Sequence, residues 1–282
     1  MKAGFPELPT IELGKGCRVS RLMIGSNPMA GFSHQSPERD REMLGHYTSA
    51  RVLELLRRCE ALGLRSVLLR GDRFFSRLWS EHRAEGGRLT WVAQTASELA
   101  DQAAHVQALA AQGASAVYIH GTWADNLWHD GRFEEVRELA RRIREAGVAV
   151  GLATHQPQVI DHVESQGWDL DFYLGSFYNL AKQHKRVAAV EGLDASVEVY
   201  DPADREAMCR AIRATARPCL AFKVLAAGRN SGSPESLRAA FEFAYANIKL
   251  TDAVVVGVCQ KDRDELAEDV AIVRGILTGR QP

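Results

Sequence analysis

An alternation carried through eight cycles constrains this chain more than any other feature. Short apolar runs rich in β-branched residues recur between longer segments of helical period. The runs are Arg21–Gly25, Ser66–Arg70, Leu89–Thr95, Ala116–His120, Ala149–Thr154, Asp171–Phe177, Cys219–Val224 and Ala253–Val258. The helical segments lie near 49–62, 73–85, 97–112, 132–146, 157–166, 203–214, 234–246 and 262–277. Val67-Leu68-Leu69 and Val254-Val255-Val256 are unbroken apolar runs, as strands of a parallel sheet covered on both faces are. Eight successive strand–helix units close on themselves, so the pattern predicts an α/β protein, a (β/α)8 TIM barrel over residues 1–282 as one domain. The competing architecture is a doubly wound open sheet. It wants a glycine-rich phosphate turn after the first strand, and the turn here is Gly25-Ser26-Asn27-Pro28.

Local chemistry supports the helices. Ser97 suits an N-cap, Pro157 a first turn, and Ser233-Pro234-Glu235 a cap followed by N1 and a dipole-complementing acid. Gly63, Gly113, Gly147 and Gly167 each follow a helical stretch, where a left-handed residue closes the last turn. Leu8–Glu12 and Arg18–Ser20 flank Leu13-Gly14-Lys15-Gly16, which predicts an N-terminal β-hairpin (residues 1–19) beneath the barrel. Residues 26–47 and 178–201 read as long loops at the opposite, functional end.

Charge is balanced, with 35 basic and 36 acidic residues and no block of one sign. That gives no support to a nucleic-acid or membrane-surface role. No apolar run reaches bilayer-spanning length, and Met1–Pro6 carries no apolar signal core, so a cytoplasmic protein is expected. The five cysteines (Cys17, Cys59, Cys209, Cys219, Cys259) have no CxxC spacing and are expected to be reduced and mostly buried.

In a barrel of this kind, polar residues at the strand ends are the first candidates for chemistry. They are Arg70 and Asp72 after the second strand, Gln94, His120, His155, Tyr178 with Asn179, and Lys223. His120 closes Ala116-Val117-Tyr118-Ile119 and suits proton transfer or an oxyanion, or else a satisfied core position. Alternation puts Lys223 on the same face as Ala221. A lysine at that depth pairs with an acid such as Asp72, grips an anion, or forms an imine. Asp72 equally suits an N-cap for the helix at 73–85. Trp123, with Trp128, either walls a pocket or packs on the rim. Arg70, His120, His155, Lys182, Lys185, Arg186, Lys223 and Arg229 map to one rim, which suits a small anionic ligand.

Several of these segments resemble the aldo-keto reductases. Residues 13–25, from Leu13-Gly14-Lys15-Gly16 to Gly25, resemble that family's hairpin and first strand. Val117-Tyr118-Ile119-His120 resembles the strand ending in its catalytic His, and Phe177-Tyr178-Asn179-Leu180 the motif whose Tyr stacks on nicotinamide. Val255-Val256-Gly257 through Glu265-Leu266-Ala267-Glu268-Asp269 resembles the last strand and helix, which hold the adenosine phosphate. The resemblance implies NADP(H) or NAD(H), with Tyr178 and Asn179 at the ring and Lys261 and Arg263 at the phosphates. It places Asp72 and His120 at two positions of the family's Asp, Tyr, Lys and His set. Gln94 stands at the Lys position, and Arg73-Phe74-Phe75-Ser76-Arg77 offers no Tyr, so ordinary carbonyl reduction is expected to be poor.

Three functions compete. One is a nicotinamide-dependent oxidoreductase acting on a small anionic carbonyl compound. Another is a cofactor-independent lyase, isomerase or aldolase using Lys223 and His120. A metal-dependent version of the latter takes His120, His155 and Asp72 as ligands, though no local spacing supports that set. The third is a non-catalytic barrel binding a ligand or subunit, with a homo-oligomer as one form.

Overall fold

The computed structural model describes residues 5–183 and 198–279. Two short strands, β1 (Thr10–Glu12) and β2 (Arg18–Ser20), pair antiparallel. Eight more form a closed parallel barrel: β3 (Leu22–Gly25), β4 (Ser66–Arg70), β5 (Thr90–Gln94), β6 (Ala116–Ile119), β7 (Ala149–Thr154), β8 (Phe172–Ser176), β9 (Cys219–Phe222) and β10 (Ala253–Val256). Their order around the barrel is β10-β3-β4-β5-β6-β7-β8-β9, with each strand beside its successor in sequence and β10 closing onto β3. The (β/α)8 expectation therefore holds, each strand lying within two residues of its sequence-derived bounds.

Among the described residues, ten α-helices surround it: α1 (Pro37–His46), α2 (Ser49–Ala61), α3 (Arg73–Ala84), α4 (Gln102–Ala111), α5 (Gly121–His129), α6 (Glu134–Glu145), α7 (Pro157–Ser165), α8 (Pro202–Ala214), α9 (Pro234–Asn247) and α10 (Glu265–Thr278). Two were not expected. The first long loop folds in part into α1, whose N-cap Ser36 accepts from the Arg39 N–H and whose first helical residue is Pro37. The stretch after β6 forms α5, which starts directly at the strand end with His120 as its N-cap residue. Another expectation fails at α4. Ser97 does not cap it; the helix begins at Gln102, and Asp101 accepts from the Ala104 N–H at 2.9 Å. An aspartate is as good a cap as a serine, and its position sets the start. Ser233 caps α9 as expected, through a reciprocal box with Ser236. Gly63, Gly113, Gly147 and Gly167 all take positive φ.

Strand alternation splits the core in two. Met23, Leu68, Val92, Ala116, Tyr118, Phe172, Leu220 and Val255 fill the barrel interior. Ile24, Val67, Leu69, Val117, Ile119, Leu152 and Val254 face the helices. Ile11, Leu13, Cys17 and Val19 of the hairpin join the interior group, so the hairpin stoppers the N-terminal end of the barrel. Ile11, Leu13 and Val19 each contribute about 1.5–3 kcal/mol by leaving water. Only a glycine fits at position 14, because a Cβ there would lie 2.8 Å from the Asp171 Cβ and its φ is +119°. All five cysteines are free thiols and buried. Among the described residues, no helix is long and apolar enough to cross a membrane.

Candidate active site

The C-terminal mouth of the barrel opens into a cavity of about 980 Å³. Interior side chains make its floor: Leu68, Gln94, Tyr118, Ala153, Leu174, Phe222 and Val255. The loops after β3, β6, β7, β9 and β10 make its walls.

Gln94 ends β5 and lies in register with Tyr118 of β6. The Tyr118 hydroxyl donates to Gln94 Oε1 at 2.8 Å inside the barrel. Burial raises this phenol's pKa, so it is a fixed neutral donor. His120 follows at the strand end. Its N–H donates to Thr95 Oγ1 at 3.0 Å, and its Nδ1 lies 3.2 Å from Ser97 Oγ. Burial, then the positive Arg70 and the neighbouring His155, push its pKa down to about 3. Standing at the N-terminus of α5, where the helix dipole also opposes positive charge, His120 is a neutral imidazole near neutral pH.

His155 follows β7 by one residue. Its Nδ1 lies 2.8 Å from Asp125 Oδ2, and the same oxygen accepts the His155 N–H at 3.0 Å. The other carboxylate oxygen accepts from the Thr154 hydroxyl at 2.5 Å. Asp125 is buried on α5. A carboxylate on Nδ1 holds one tautomer, with Nε2 left to accept a proton.

Lys223 follows β9 and takes φ +58°. Alternation along β9 had put it on the face of Ala221, but Ala221 packs outward against the helices. The left-handed backbone, which costs a non-glycine residue about 1–2 kcal/mol, turns Lys223 into the mouth instead, where it lines the cavity. Burial, against the pull of Glu198, lowers the ammonium to a pKa of about 8. Among the described residues no hydrogen bond or ion pair reaches its Nζ; the ion pair with Asp72 envisaged from sequence does not form, because Asp72 is engaged elsewhere. Strain of this kind clusters at functional sites.

A third group sits above Lys223. His34 Nδ1 meets Glu198 Oε1 at 2.9 Å, and the Tyr200 hydroxyl donates to Glu198 Oε2 at 2.6 Å. Burial pushes the Glu198 carboxyl up, but the His34 hydrogen bond and the charges of His34 and Lys223 outweigh it and hold the pKa at about 2. Burial and Lys223 lower His34. Gln35 Nε2 to Ala227 O at 2.8 Å and Arg229 to His34 O at 3.1 Å strap this first loop across to the loop after β9.

Of the residues singled out from sequence, Gln94, His120, Trp128, His155, Asn179, Lys223 and Arg263 line the cavity. The Asn179 N–H is held by Asp204 at 3.0 Å. Arg263 donates to Ser231 O at 3.0 Å and lies 3.6 Å from Glu265 and 3.5 Å from Glu268. The remainder stand outside it. Asp72 is the N-cap of α3, accepts from the Phe75 N–H at 2.9 Å, and pairs with Arg70 at 3.2 Å. Arg70 also pairs with Glu98. Trp123 packs against the core around the barrel. Tyr178 is buried edge-on to Tyr200, and its hydroxyl accepts from Asn230 at 3.1 Å. Lys261 is exposed and paired with Glu42. Lys185, Arg186 and the side chain of Lys182 lie outside the described residues. Sequence reading placed Asp125 at the rim without a role, and missed Tyr118, His34 and Glu198 as members of the site. Tyr118 alone carried a legible signal, being an inward polar residue two positions before His120. Among the described residues, no group of three or more His, Cys, Asp or Glu is placed to hold a metal ion.

No protein-family model matches the sequence, and no curated protein matches it. Solved structures do match in fold. An aldo-keto reductase from Bacillus halodurans in its holo form has a TM-score of 0.60 and 10% identity, covering 95% of this chain and 91% of that one. A variant of Gox0644 in complex with NADPH gives 0.55 and 9%, covering 94% and 88%. A truncated 3-deoxy-D-arabino-heptulosonate 7-phosphate synthase from Thermotoga maritima gives 0.54 and 13%, covering 97% and 93%. At such identities the likeness is one of fold, shared by reductase and synthase alike.

Proposed function

We propose that this protein is an enzyme acting on a small anionic carbonyl compound, with the Lys223 amine forming an imine to the substrate. The observation that carries this reading is a lysine at the barrel mouth, unpaired among the described residues, turned inward by strained backbone, with its pKa lowered to about 8. Such an amine is nucleophilic near neutral pH. Its nitrogen adds to the carbonyl carbon, the carbinolamine loses water, and the protonated imine draws electrons from an adjacent C–C or C–H bond. Asp125-oriented His155 takes and returns the proton. Neutral His120 supplies a hydrogen bond to the substrate oxygen, and the Tyr118 hydroxyl, whose proton goes to Gln94 Oε1, fixes the floor beneath it. Beside Lys223 the carboxylates of Asp125 and Glu198 are engaged, Asp125 by Thr154 and His155 and Glu198 by His34 and Tyr200. Around Lys223 that leaves donors in excess, which favours a carboxylate or phosphate on the reacting end of the substrate.

The test is reductive trapping. Pyruvate, glyceraldehyde 3-phosphate and dihydroxyacetone phosphate are each incubated with the protein and borohydride, followed by peptide mass spectrometry. The expected adduct falls on the peptide holding Lys223 and disappears in Lys223→Met. Adducts spread equally over the exposed Lys15 and Lys261, or none from any probe, would overturn the reading.

A second reading, a nicotinamide-dependent oxidoreductase, is favoured by the fold shared with a holo aldo-keto reductase and an NADPH complex. Against it, Tyr178 is packed away from the cavity. NADH or NADPH at 100 times its dissociation constant stabilises a binding protein by about 2.7 kcal/mol, which a melting curve detects.

A further inference from the structure

The cavity does not end at Lys223. It continues past Gly257 and Cys259 to the side of α10, where Arg263, Glu265 and Asp269 line it. β10 lies diametrically across the barrel from β6, so this wall faces the one that carries His120. In barrels of this class the loops after the seventh and eighth strands, with a helix N-terminus, commonly bind phosphate. Here the donors for such a site are already taken. Asp264 caps α10 and accepts the Ala267 N–H at 3.2 Å, and its carbonyl accepts from Glu268 at 3.1 Å. Gln260 Oε1 accepts the Leu266 N–H at 3.0 Å. Glu265 Oε2 accepts the Cys259 N–H at 2.6 Å. The guanidinium of Arg263 is shared among Ser231 O, Glu265 and Glu268.

Asp269 stands apart from this network. One helical turn beyond Glu265, it is 3% exposed, lines the cavity, and has no hydrogen bond or ion pair among the described residues. Burial and the neighbouring Glu265 raise its pKa well above the usual carboxyl range. Its carboxyl is left without a protein donor where it borders the cavity, and a ligand that donates to it supplies the missing partner. We infer that this end of the cavity is a subsite for a hydrogen-bond-donating group, a sugar hydroxyl or an ammonium, received by Asp269 and closed to anions. The substrate is then bipolar, with an anionic carbonyl end at Lys223 and a donor end at Asp269. The identity of that first half rests on the imine reading, whereas the subsite itself stands on Asp269 and Glu265.

The experiment separates the two. Methyl β-D-riboside, which has no free carbonyl and cannot form an imine, is the hydroxyl probe. Putrescine is the ammonium probe and inorganic phosphate the anion. Binding is followed by saturation-transfer NMR, and the location by backbone amide shifts. We expect one of the first two to bind, shifting amides between Gly257 and Asp269, with phosphate neither binding there nor displacing it. Lys223→Met leaves this binding unchanged, whatever becomes of the imine. Asp269→Leu weakens it about tenfold or more, as loss of a hydrogen bond to an ionisable acceptor does. Asp269→Asn, which keeps the shape should leucine not fold, retains the riboside within a few-fold but loses putrescine. Failure of both donor probes, phosphate binding at these amides, or equal affinity in Asp269→Leu would each overturn the inference.

Discussion

Replacing Lys223 by methionine should make the protein more stable, not less. The folded-state pKa of about 8 lies below the ordinary 10.5. At pH 7 both the folded and unfolded chains carry the proton, and the folded state bears the full penalty of a desolvated ammonium. A difference of 2.5 units at 1.36 kcal/mol each sets that penalty at about 3 kcal/mol as an upper bound. As pH rises from 8 to 10.5 the folded state sheds the proton first, so the unfolded chain holds more protons and stability rises. Above 10.5 both forms are neutral and the penalty is gone. Methionine has nearly the same length, no charge to desolvate and the same backbone strain at φ +58°. Urea denaturation of wild type and Lys223→Met across pH 7 to 11 should therefore give a variant more stable by up to about 3 kcal/mol at pH 7. The gap should close through pH 8–10.5. A variant destabilised by 1 kcal/mol or more at pH 7 would mean that Lys223 belongs to a stabilising ion pair, and the argument for a poised amine would fall with it.

Asp125→Asn keeps the shape of the side chain but not its capacity to accept from Thr154, the His155 N–H and the His155 ring together. It should slow imine formation about 10²–10⁴-fold while Lys223 remains the labelled residue; an unchanged trapping rate would remove this pair from proton transfer. Gly151→Ala places a Cβ 2.4 Å from Phe172 Cζ and 2.8 Å from Tyr118 Cβ. Such overpacking should destabilise by about 1–3 kcal/mol or more. Thermal melting checks it, and a change under 0.5 kcal/mol would show that the floor beneath Tyr118 yields easily.

The barrel was legible because every strand carries the same instruction, an apolar run that must be covered on both faces, repeated eight times. The rim followed from it, since His120, His155 and Gln94 stand at or just past strand ends. What lies between loops was not legible. Asp125 meets His155 only because α5 starts directly at the end of β6, and α5 read as loop because Trp123-Ala124-Asp125-Asn126 has no evident stop or start. Glu198 meets His34 across 164 residues of chain, and no local pattern encodes that. Lys223 was found for an incomplete reason. Alternation marked it as buried, but a left-handed residue resets the alternation, and its sequence, Phe222-Lys223-Val224, has no glycine to announce one. Asp269 entered only as the last residue of a stretch resembling a phosphate-holding helix; its isolation is visible only once the partners of its neighbours are known.

Among the described residues, the hairpin of β1 and β2 closes the N-terminal end of the barrel and leaves the C-terminal mouth as its doorway. Ile11, Leu13, Cys17 and Val19 fill the N-terminal end from within, so whatever enters the mouth leaves by it. Two-way traffic through one opening makes arrival and departure mutually exclusive. A product that lingers there blocks the next molecule in direct competition, and a long molecule can be admitted only end first. The order in which its two halves meet the walls is then set by the plug at the opposite end of the barrel.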